Sequence, residues 1–585
     1  MRRLTLGLVM LIACAAVASA QTAPAINHLS TDPILHEDGL GWHVRVRFTT
    51  SVPAVCHVEA GPAADALTAT APEGEALRNH RFNIPAERGQ PHFVGIVGEA
   101  EAGEVSSDVI EVQPPGPFPA GDVERVEVPL TVTETAGVAR EEPVTFGIPL
   151  PEGALGRPQL VSLMDGDRPI IAQTRALVRW PDRTVKWLLV SGTVSLQPNE
   201  TKTLTLALGT NVRPVMLKGA PPLREDGDTI TVWTGQSRFT IDRTSGEGSI
   251  EGPDGALTAL PVSRLTADDG TVYTGKAESV EVEEDGPQRV VILTRGHHVN
   301  EAGEPYFGFE LRYFLNSGDP FVRVDHILQQ DIVSADMEYG DEMKSFRSLD
   351  LVFPTGADGA TVALEDGSEA QIASGQRLFQ HESNAYSLPG GDGSRAPGLA
   401  TAGDLTVAVR DFWQNWPKGI AVEDDGLAVG LYPEITPADR YANRPNEQVL
   451  YYYIRDGKYT FRSGFEKRHQ LLVGPAGAAA PEQVLARVDE PLLVTAPPDW
   501  YIDSGALHGI EGVDGRDFAA YDEALSDCVD GHIDYREAND WYGLMNFGDW
   551  WGERGNNWGN IEYDMQHANL TQYFRTGDRR FFELA

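Results

Sequence analysis

The chain has 585 residues, with 86 acidic against 47 basic side chains and a formal net charge of −39. A field of that sign repels nucleic acid and anionic membranes, so we expect neither as a partner. This length implies several domains. After the N-terminal segment, no stretch of the sequence is apolar enough to predict a transmembrane helix.

The N-terminus has the pattern of a signal peptide. Arg2 and Arg3 are followed by an apolar run over residues 4–17 and by small residues at 18–20. We therefore expect cleavage after Ala20 and a secreted or periplasmic protein. The alternative is a lipoprotein signal that anchors the chain through Cys14, but apolar residues continue beyond Cys14 and favour cleavage.

Alternating polar and apolar residues predict strands over most of the chain. Residues 24–113 have the texture of an Ig- or fibronectin-like β-sandwich, and residues 114–121 form a Pro-rich linker. A small β unit follows over 122–220 and a large β-sandwich over 221–497. The predicted strands include 43–48, 201–208, 289–293, 307–314, 322–327 and 449–454.

After Pro497-Pro498, the residue pattern of 498–585 is typical of helices. Helical spacing predicts helices over Phe518–Val529 and over Asn560–Arg575, the second capped by Gly577. The sequence ends at Ala585 inside an apolar run, after only two or three predicted helices. We therefore expect it to be an N-terminal fragment of a longer protein.

The most distinctive segment spans residues 541–567. It holds four of the eleven tryptophans, interleaved with amides and carboxylates. Flat aromatic rings cover the apolar faces of sugars, while amides and carboxylates bind the hydroxyl groups. The segment therefore suggests a carbohydrate site, and the alternative is a helical core with polar loop ends. The residues concerned are Trp541, Trp550, Trp551, Trp558, Asn546, Asp549, Asn556, Asn557, Asn560 and Asp564.

On a helix starting at Asn560, residues Asn560, Tyr563, Asp564 and His567 share one face. An amide, a phenol, a carboxylate and an imidazole together suit proton transfer near a sugar. The same face could equally be a buried hydrogen-bond network between helices.

Two other segments are candidates for glycan contact. Residues 455–469 carry five cations against two carboxylates, including Lys467 next to His469, and could dock a uronate carboxylate. An exposed hairpin of alternating charge is the alternative. Trp413 and Trp416 flank two amides and could form a sugar platform or a packed sandwich corner.

Familiar cofactor, phosphate and metalloprotease motifs are absent from the sequence. Cys56 and Cys528, the cysteines beyond the signal peptide, lie far apart, so we expect no disulfide. We predict no cofactor and no metal site, with a divalent cation such as calcium left open.

The chain resembles the exo-rhamnogalacturonan lyase and YetA-like family over roughly residues 122–585. The most specific block is Arg179-Trp180-Pro181-Asp182 followed by Val185-Lys186-Trp187. Weaker matches occur at 143–153, Gln173, 318–324, 412–418, 464–469, 542–550, 560–564 and 575–578.

This resemblance implies a RIFT-type β-barrel over 122–220, a central β-sandwich and the start of an α/α toroid. It also implies β-elimination on rhamnogalacturonan, an acidic polysaccharide. The Ig-like domain is an addition to the family pattern, and most of the toroid is missing from this sequence.

β-Elimination needs a base near the proton α to the uronate carboxylate, an acid near the leaving oxygen and stabilisation of enolate-like charge. We expect Asn560 to help with the carboxylate, Tyr563 or His567 to act as acid or base, and Lys467 and His469 to approach from the sandwich.

The expected substrate contacts are Trp550, Trp558, Asp549, Asn557, Asp564 and Trp413. Two rival functions stay open. One is a non-catalytic glycan-binding surface protein. The other is a glycoside hydrolase that uses paired carboxylates such as Asp549 and Asp564.

Overall fold

The computed structural model divides into two compact units, residues 1–119 and 120–585, and each is described by itself. No helix among the described residues is long and apolar enough to cross a bilayer. The structure describes residues 24–36, 41–74, 76–87, 89–215, 222–331, 343–435, 454–455, 457–513, 517–544, 546–551 and 564–585.

The N-terminal unit is an all-β domain. The long strand β2 pairs antiparallel with β1, β4 and β5. Alternate β2 residues, among them Trp42, Val44 and Phe48, are buried, which confirms the predicted strand at 43–48. The strands are β1 (Ile26–Leu35), β2 (Trp42–Gly61), β3 (Thr68–Ala69), β4 (Leu77–Ala86), β5 (His92–Ala100), β6 (Gly103–Ser106) and β7 (Ile110–Val112).

A small β-barrel opens the second unit, with two sheets that enclose one apolar core. The predicted strand at 201–208 is confirmed as β14. The strands are β8 (Val126–Thr133), β9 (Arg140–Pro149), β10 (Val161–Asp165), β11 (Arg168–Ile170), β12 (Gln173–Arg179), β13 (Val185–Leu196) and β14 (Thr201–Leu208).

A five-stranded antiparallel sheet leads into the central sandwich. Its strands are β15 (Leu223–Asp226), β16 (Thr229–Trp233), β17 (Arg238–Asp242), β18 (Gly248–Glu251) and β19 (Leu257–Ala259). The core of this sheet is continuous with that of the sandwich, because Ile230, Phe239 and Ile250 pack in the same cluster as Tyr313 and Phe346.

The sandwich itself is one hydrogen-bonded network of strands around a large aromatic core. The predicted strands at 289–293, 307–314 and 322–327 are confirmed within β22, β23 and β24. Most of the one predicted at 449–454 falls outside the described residues. The strands are β20 (Val262–Ala267), β21 (Val272–Asp285), β22 (Arg289–Val299), β23 (Pro305–Asn316), β24 (Val322–Gln329), β25 (Met343–Phe353), β26 (Gly359–Ala363), β27 (Glu369–Ala373), β28 (Arg377–Glu382), β29 (Ala385–Leu388), β30 (Gly391–Gly393), β31 (Leu399–Ala402), β32 (Leu405–Val409), β33 (Lys418–Glu423), β34 (Gly426–Tyr432), β35 (Ile454–Arg455), β36 (Lys458–Arg462) and β37 (Glu466–Pro475).

After the sandwich the chain returns to the barrel. Helix α1 (Pro481–Asp489) packs on the outside of β32 and β37, and β38 (Val494–Thr495) pairs with β8. Helical structure therefore begins before the Pro497-Pro498 boundary that the sequence texture suggests. Pro481 starts α1, which suits proline because the first helical N–H has no intrahelical partner.

The C-terminal helices are α2 (Pro498–Asp503), α3 (Ala519–Asn539), α4 (Met565–Thr576) and α5 (Arg579–Leu584). They contact the barrel, since the Trp500 indole donates to the Pro149 carbonyl at 2.8 Å and the ring of Phe574 lies 6.1 Å from that of Trp187. Gly577 caps α4 in the left-handed conformation, as predicted.

Two helix boundaries differ from the sequence prediction. Helix α3 continues ten residues beyond Val529, to Asn539. Helix α4 begins only at Met565, and Asp564 has a φ of 53°, outside helical geometry. The prediction that Asp564 lies within the helix is therefore wrong, because it is the cap residue before α4, while His567 lies in the helix as predicted. Asn560 and Tyr563 lie outside the described residues.

Candidate functional site at the end of the central sandwich

Strand β37 carries Lys467 and His469 into the site. It lies between β24 and β32, and its register places His469 opposite His326 and Lys467 opposite Leu328. Side chains alternate along a strand, so both residues point to the face that also buries Leu471 in the aromatic core. Lys467 and His469 therefore lie at the margin of the sandwich core.

Lys467 is the group at this margin whose protonation state is most open to change near neutral pH. Its Nζ donates to Oδ1 of Asn415 at 3.0 Å. The pKa of Lys467 is lowered to about 8, mainly by burial and in smaller part by Arg468, while the carboxylate of Asp411 acts against both. A lysine in this range is partly unprotonated near neutral pH and can accept a proton.

His469 lies deeper, and its side chain is only 5 % exposed. Its ring meets the Tyr432 ring edge-on at 5.1 Å, and neither ring nitrogen has a hydrogen-bond partner among the described residues. Burial lowers the pKa of His469 well below its ordinary value, and the nearby Lys418 and Lys467 add to this. The imidazole is therefore neutral, and its predicted catalytic role remains a prediction.

Lys418 is a second buried lysine beside the same asparagine. Its Nζ donates to the carbonyl of Asn415 at 2.7 Å and to that of Pro417 at 3.3 Å. Burial lowers the pKa of Lys418 well below its usual value, followed by the effect of Lys467. Asn415 therefore accepts hydrogen bonds from two lysines, from Lys418 at its backbone carbonyl and from Lys467 at its side-chain oxygen.

Trp413 is part of a joint between the sandwich and the helical segment. Its ring lies 4.8 Å from the Tyr542 ring and 3.9 Å from the guanidinium carbon of Arg395. Backbone bonds from Gly543 to the Gln414 carbonyl and from Leu544 to the Trp416 carbonyl fasten the same joint, each at 2.8 Å. These contacts favour the packed-corner interpretation of the tryptophan pair.

A pair of carboxylates lies beside Lys467, and the sequence analysis missed it. The backbone N–H of Asp411 donates to Oδ1 of Asp489 at 3.1 Å, and Arg410 Nε lies 3.4 Å from Oδ2 of Asp411. Burial raises the pKa of Asp411, and it raises that of Asp489 to about 7. Nothing in the local sequence signals this pair, because Asp489 ends α1, 78 residues after Asp411.

The Trp-rich segment is described only in part. Asp549 and Trp550 are half-buried, and the backbone N–H of Trp550 donates to Oδ1 of Asp549 at 2.8 Å. Asn546 beside them is buried, and its Nδ2 has no partner among the described residues. The predicted sites Asn557, Trp558, Asn560 and Tyr563 lie outside the described residues.

His567 and Asp564 are exposed at the start of α4. Their side chains are 78 % and 72 % exposed, with Nδ1 of His567 3.6 Å from Oδ2 of Asp564. The structure therefore leaves both accessible to a ligand. It shows no contact between either of them and Lys467 or His469 among the described residues.

A separate cleft of about 700 Å³ lies between the barrel, the sandwich and α1. Some of its charged lining residues join the three parts. Arg487 forms two hydrogen bonds with Asp319, at 3.0 and 2.7 Å, and Arg140 donates to the carbonyls of Ala486 and Glu490. These hydrogen bonds hold parts of the structure together.

The N-terminal unit contains the one cluster of three potential metal ligands found among the described residues, formed by Cys56, Glu73 and His80. His80 already uses Nδ1 with Glu73 at 2.8 Å and Nε2 with Thr50 at 3.0 Å. Burial raises the pKa of the Cys56 thiol to about 11, and Glu73 contributes to the rise. The cluster is satisfied as a buried hydrogen-bond network.

Two family models match this chain. Residues 129–207 match the PcRGLX-like N-terminal RIFT barrel domain, and residues 226–338 match the PcRGLX-like protein central beta sandwich domain. The sequence resemblance is thereby confirmed over these two ranges, where the barrel and the sandwich are similar to the corresponding PcRGLX-like domains. The mostly-β, multidomain fold class is confirmed as well.

Similarity to solved structures is remote. A glycosyl hydrolase family 38 protein from Enterococcus faecalis has 12% identity and a TM-score of 0.39, over 63% of this chain and 47% of that one. An alpha-mannosidase from Enterococcus faecalis has 12% identity and a TM-score of 0.38, over 63% and 46%. A galactose mutarotase related enzyme from Lactobacillus acidophilus has 14% identity and a TM-score of 0.22, over 43% and 97%.

The chain thus spans less than half the length of the first two structures. Scores this low carry no argument about function. No curated protein matches the sequence significantly.

Proposed function

We propose that this chain belongs to an exported polysaccharide lyase-like protein that cleaves rhamnogalacturonan-type acidic glycan by β-elimination. The matches of the barrel and the sandwich support the substrate class. The observation that carries the chemistry is Lys467, which is held by Asn415 at the sandwich margin with its pKa lowered to about 8.

In this proposal Lys467 serves as the proton acceptor or donor at the uronate. The proton α to a free carboxylate is weakly acidic, so its removal needs a base together with positive or hydrogen-bonding groups that stabilise the enolate-like charge. Lys467 meets the first need in its neutral form. Asn560, Tyr563 and His567 stay as the proposed partners from the helical segment.

His469 is assigned a positioning role. Its ring packs on Tyr432 and helps keep Lys467 in a setting of low polarity, which disfavours the protonated lysine. Trp550, Trp558, Asp549, Asn557 and Asp564 remain the proposed sugar contacts, with Trp413 holding the joint behind them.

The test is the ultraviolet absorbance of the unsaturated uronate that the protein forms from rhamnogalacturonan. We expect Lys467→Met to reduce the rate by at least 100-fold, within the usual contribution of general acid–base catalysis. The matched control is Lys458→Met, because Lys458 lies in the same cationic segment but pairs with Asp268 on the surface. Its rate should be unchanged.

The product distinguishes the rival functions. Saturated oligosaccharides would indicate hydrolysis by paired carboxylates, and glycan binding without any product would indicate a surface-binding protein. Either result with the wild-type protein would overturn the lyase proposal. Unchanged rates in both Tyr563→Phe and His567→Ala would remove those two residues from the mechanism.

A further inference from the structure

One face of the central sheet carries a row of arginines that its own carboxylates do not balance. Register places Phe314 opposite Arg323, Asp325 opposite Gln470, and Ile327 opposite Arg468. Residues opposite one another in an antiparallel pair share a face, so Arg323, Asp325 and Arg468 all lie on the same side of β24 and β37. This is the side opposite Lys467 and His469.

The three arginines meet around two carboxylates and one aromatic ring, since Arg289 Nε lies 3.8 Å from Oε2 of Glu284. Arg323 Nε lies 3.3 Å from Oδ1 of Asp325, and Arg468 Nη1 lies 3.8 Å from Oδ2 of the same residue. The guanidinium carbons of Arg323 and Arg289 lie 3.6 and 5.1 Å from the centre of the Phe314 ring. Three guanidinium groups therefore form one row, which we call the arginine row.

Neighbouring arginines on the same face are fully matched by acids. Arg312 donates to Glu283 at 2.7 and 3.3 Å and to Glu310 at 3.4 Å, and Arg295 donates to Glu310 at 2.9 Å. In the arginine row, by contrast, Arg323 Nε and Oδ1 of Asp325 lie 3.3 Å apart as an ion pair, and neither atom makes a hydrogen bond within the described part of the chain. In a protein with 86 acidic and 47 basic residues, such an unmatched row is unexpected.

The row has a locally positive setting. The pKa of Arg323 is lowered to about 10, mainly by burial and also by Arg289, Arg468 and Arg410, against the effect of Asp325. For Arg312, hydrogen bonding to Glu283 instead raises the pKa. Two members of the row are accessible, because the side chains of Arg323 and Arg468 are 39% and 64% exposed, while that of Arg289 is 13% exposed behind them.

We propose that the arginine row, formed by Arg289, Arg323 and Arg468, binds a carboxylate of an acidic glycan on the face of the sheet opposite Lys467. Guanidinium groups suit this ligand because their planar forks match carboxylate oxygens. The choice of a uronate rests on the proposed function. The site itself is a binding site, separate from the elimination chemistry.

Binding of trigalacturonate is measured by calorimetry in the Lys467→Met background, where turnover is removed. We expect the double substitution Arg323→Gln/Arg468→Gln to weaken binding at least 10-fold. Added salt should weaken binding to the parent more than to the double variant. The matched control is Arg312→Gln, which removes an arginine from the same face that is already paired, and it should bind like the parent.

Equal affinity in the double variant and the parent would overturn the proposal, as would tighter binding of inorganic phosphate than of trigalacturonate. The single variants Arg323→Lys and Arg468→Lys control for misfolding of the double variant. Each keeps the positive charge but loses the planar guanidinium group that matches a carboxylate. We expect them to bind with intermediate affinity. If the wild-type protein forms no unsaturated product but trigalacturonate binding still depends on the row, the proposed function fails and this inference stands.

Discussion

The Nζ of Lys467 donates a 3.0 Å hydrogen bond to Oδ1 of Asn415, which links the end of β37 to the turn that carries Trp413 and Lys418. This bond holds a partly neutral lysine beside the joint between the sandwich and the helical segment. Because the turn also receives backbone bonds from Gly543 and Leu544, the setting of Lys467 depends on three separate parts of the chain.

The first prediction concerns the pH dependence set by Lys467. Its folded-state pKa of about 8 lies below the unfolded value, so the unfolded chain binds more protons between pH 8 and about 10.4. The wild type should therefore gain stability relative to Lys467→Met as the pH rises over this interval. The difference between their free energies of unfolding should increase by at most about 3 kcal/mol. Denaturant titrations at several pH values measure the difference.

The elimination rate should follow the same group. If neutral Lys467 is the base, the rate rises as pH increases through about 8 in the wild type. Lys467→Arg keeps the positive charge at these pH values and should show neither the rise nor appreciable activity. A wild-type profile that is flat between pH 7 and 9 would contradict the assignment.

The second prediction concerns His469. Its folded pKa lies well below 6.5, so the unfolded state alone takes up a proton as pH falls, and stability is lost below about 6.5. His469→Leu should remove this sensitivity and reduce the loss between pH 7 and pH 5 by about 2 kcal/mol. Thermal and denaturant unfolding at the two pH values measures it.

His298 supplies the control for that prediction. It is also buried, but its ring nitrogens bond to Ser263 Oγ at 2.8 Å and to the Phe307 carbonyl at 3.0 Å. His298→Leu should destabilise the protein at pH 7 by about 1–3 kcal/mol, because its partners are left unpaired. A pH 7 cost for His469→Leu as large as this would show that its ring has a partner after all.

The third prediction separates a packed corner from a sugar platform at Trp413. Loss of the contacts with Tyr542 and Arg395 in Trp413→Ala should destabilise the protein by about 2–4 kcal/mol and speed proteolysis within residues 498–585. Trp413→Phe should retain most of the stability. Reduced glycan affinity with unchanged stability in Trp413→Ala would favour the platform instead.

The fourth prediction concerns Cys56 and Cys528. Cys56 is buried and the pKa of its thiol is raised to about 11, whereas Cys528 is exposed. In protein produced without residues 1–20, a maleimide should therefore modify one thiol at neutral pH, and peptide mapping should place it at Cys528. Both thiols should react after unfolding. Modification of Cys56 in the folded protein would show that the N-terminal unit opens.

Some features followed from the sequence because they depend on neighbouring residues. Strict alternation over Thr201–Leu208 fixes a half-buried strand, and a glycine after the last helical turn marks the cap at Gly577. The block around Arg179–Trp187 was enough to indicate the barrel. The expectation from the net charge that nucleic acid is not a partner stays a prediction.

The tertiary structure decided what depends on distant parts of the chain. Burial in the sandwich lowers the pKa values of Lys467 and His469, and the return of α1 brings Asp489 to Asp411. No local pattern encodes these effects, because desolvation and charge proximity are set by which segments pack together. The sequence alone selected Lys467 as a candidate by residue type, and packing gave it a pKa suited to proton transfer.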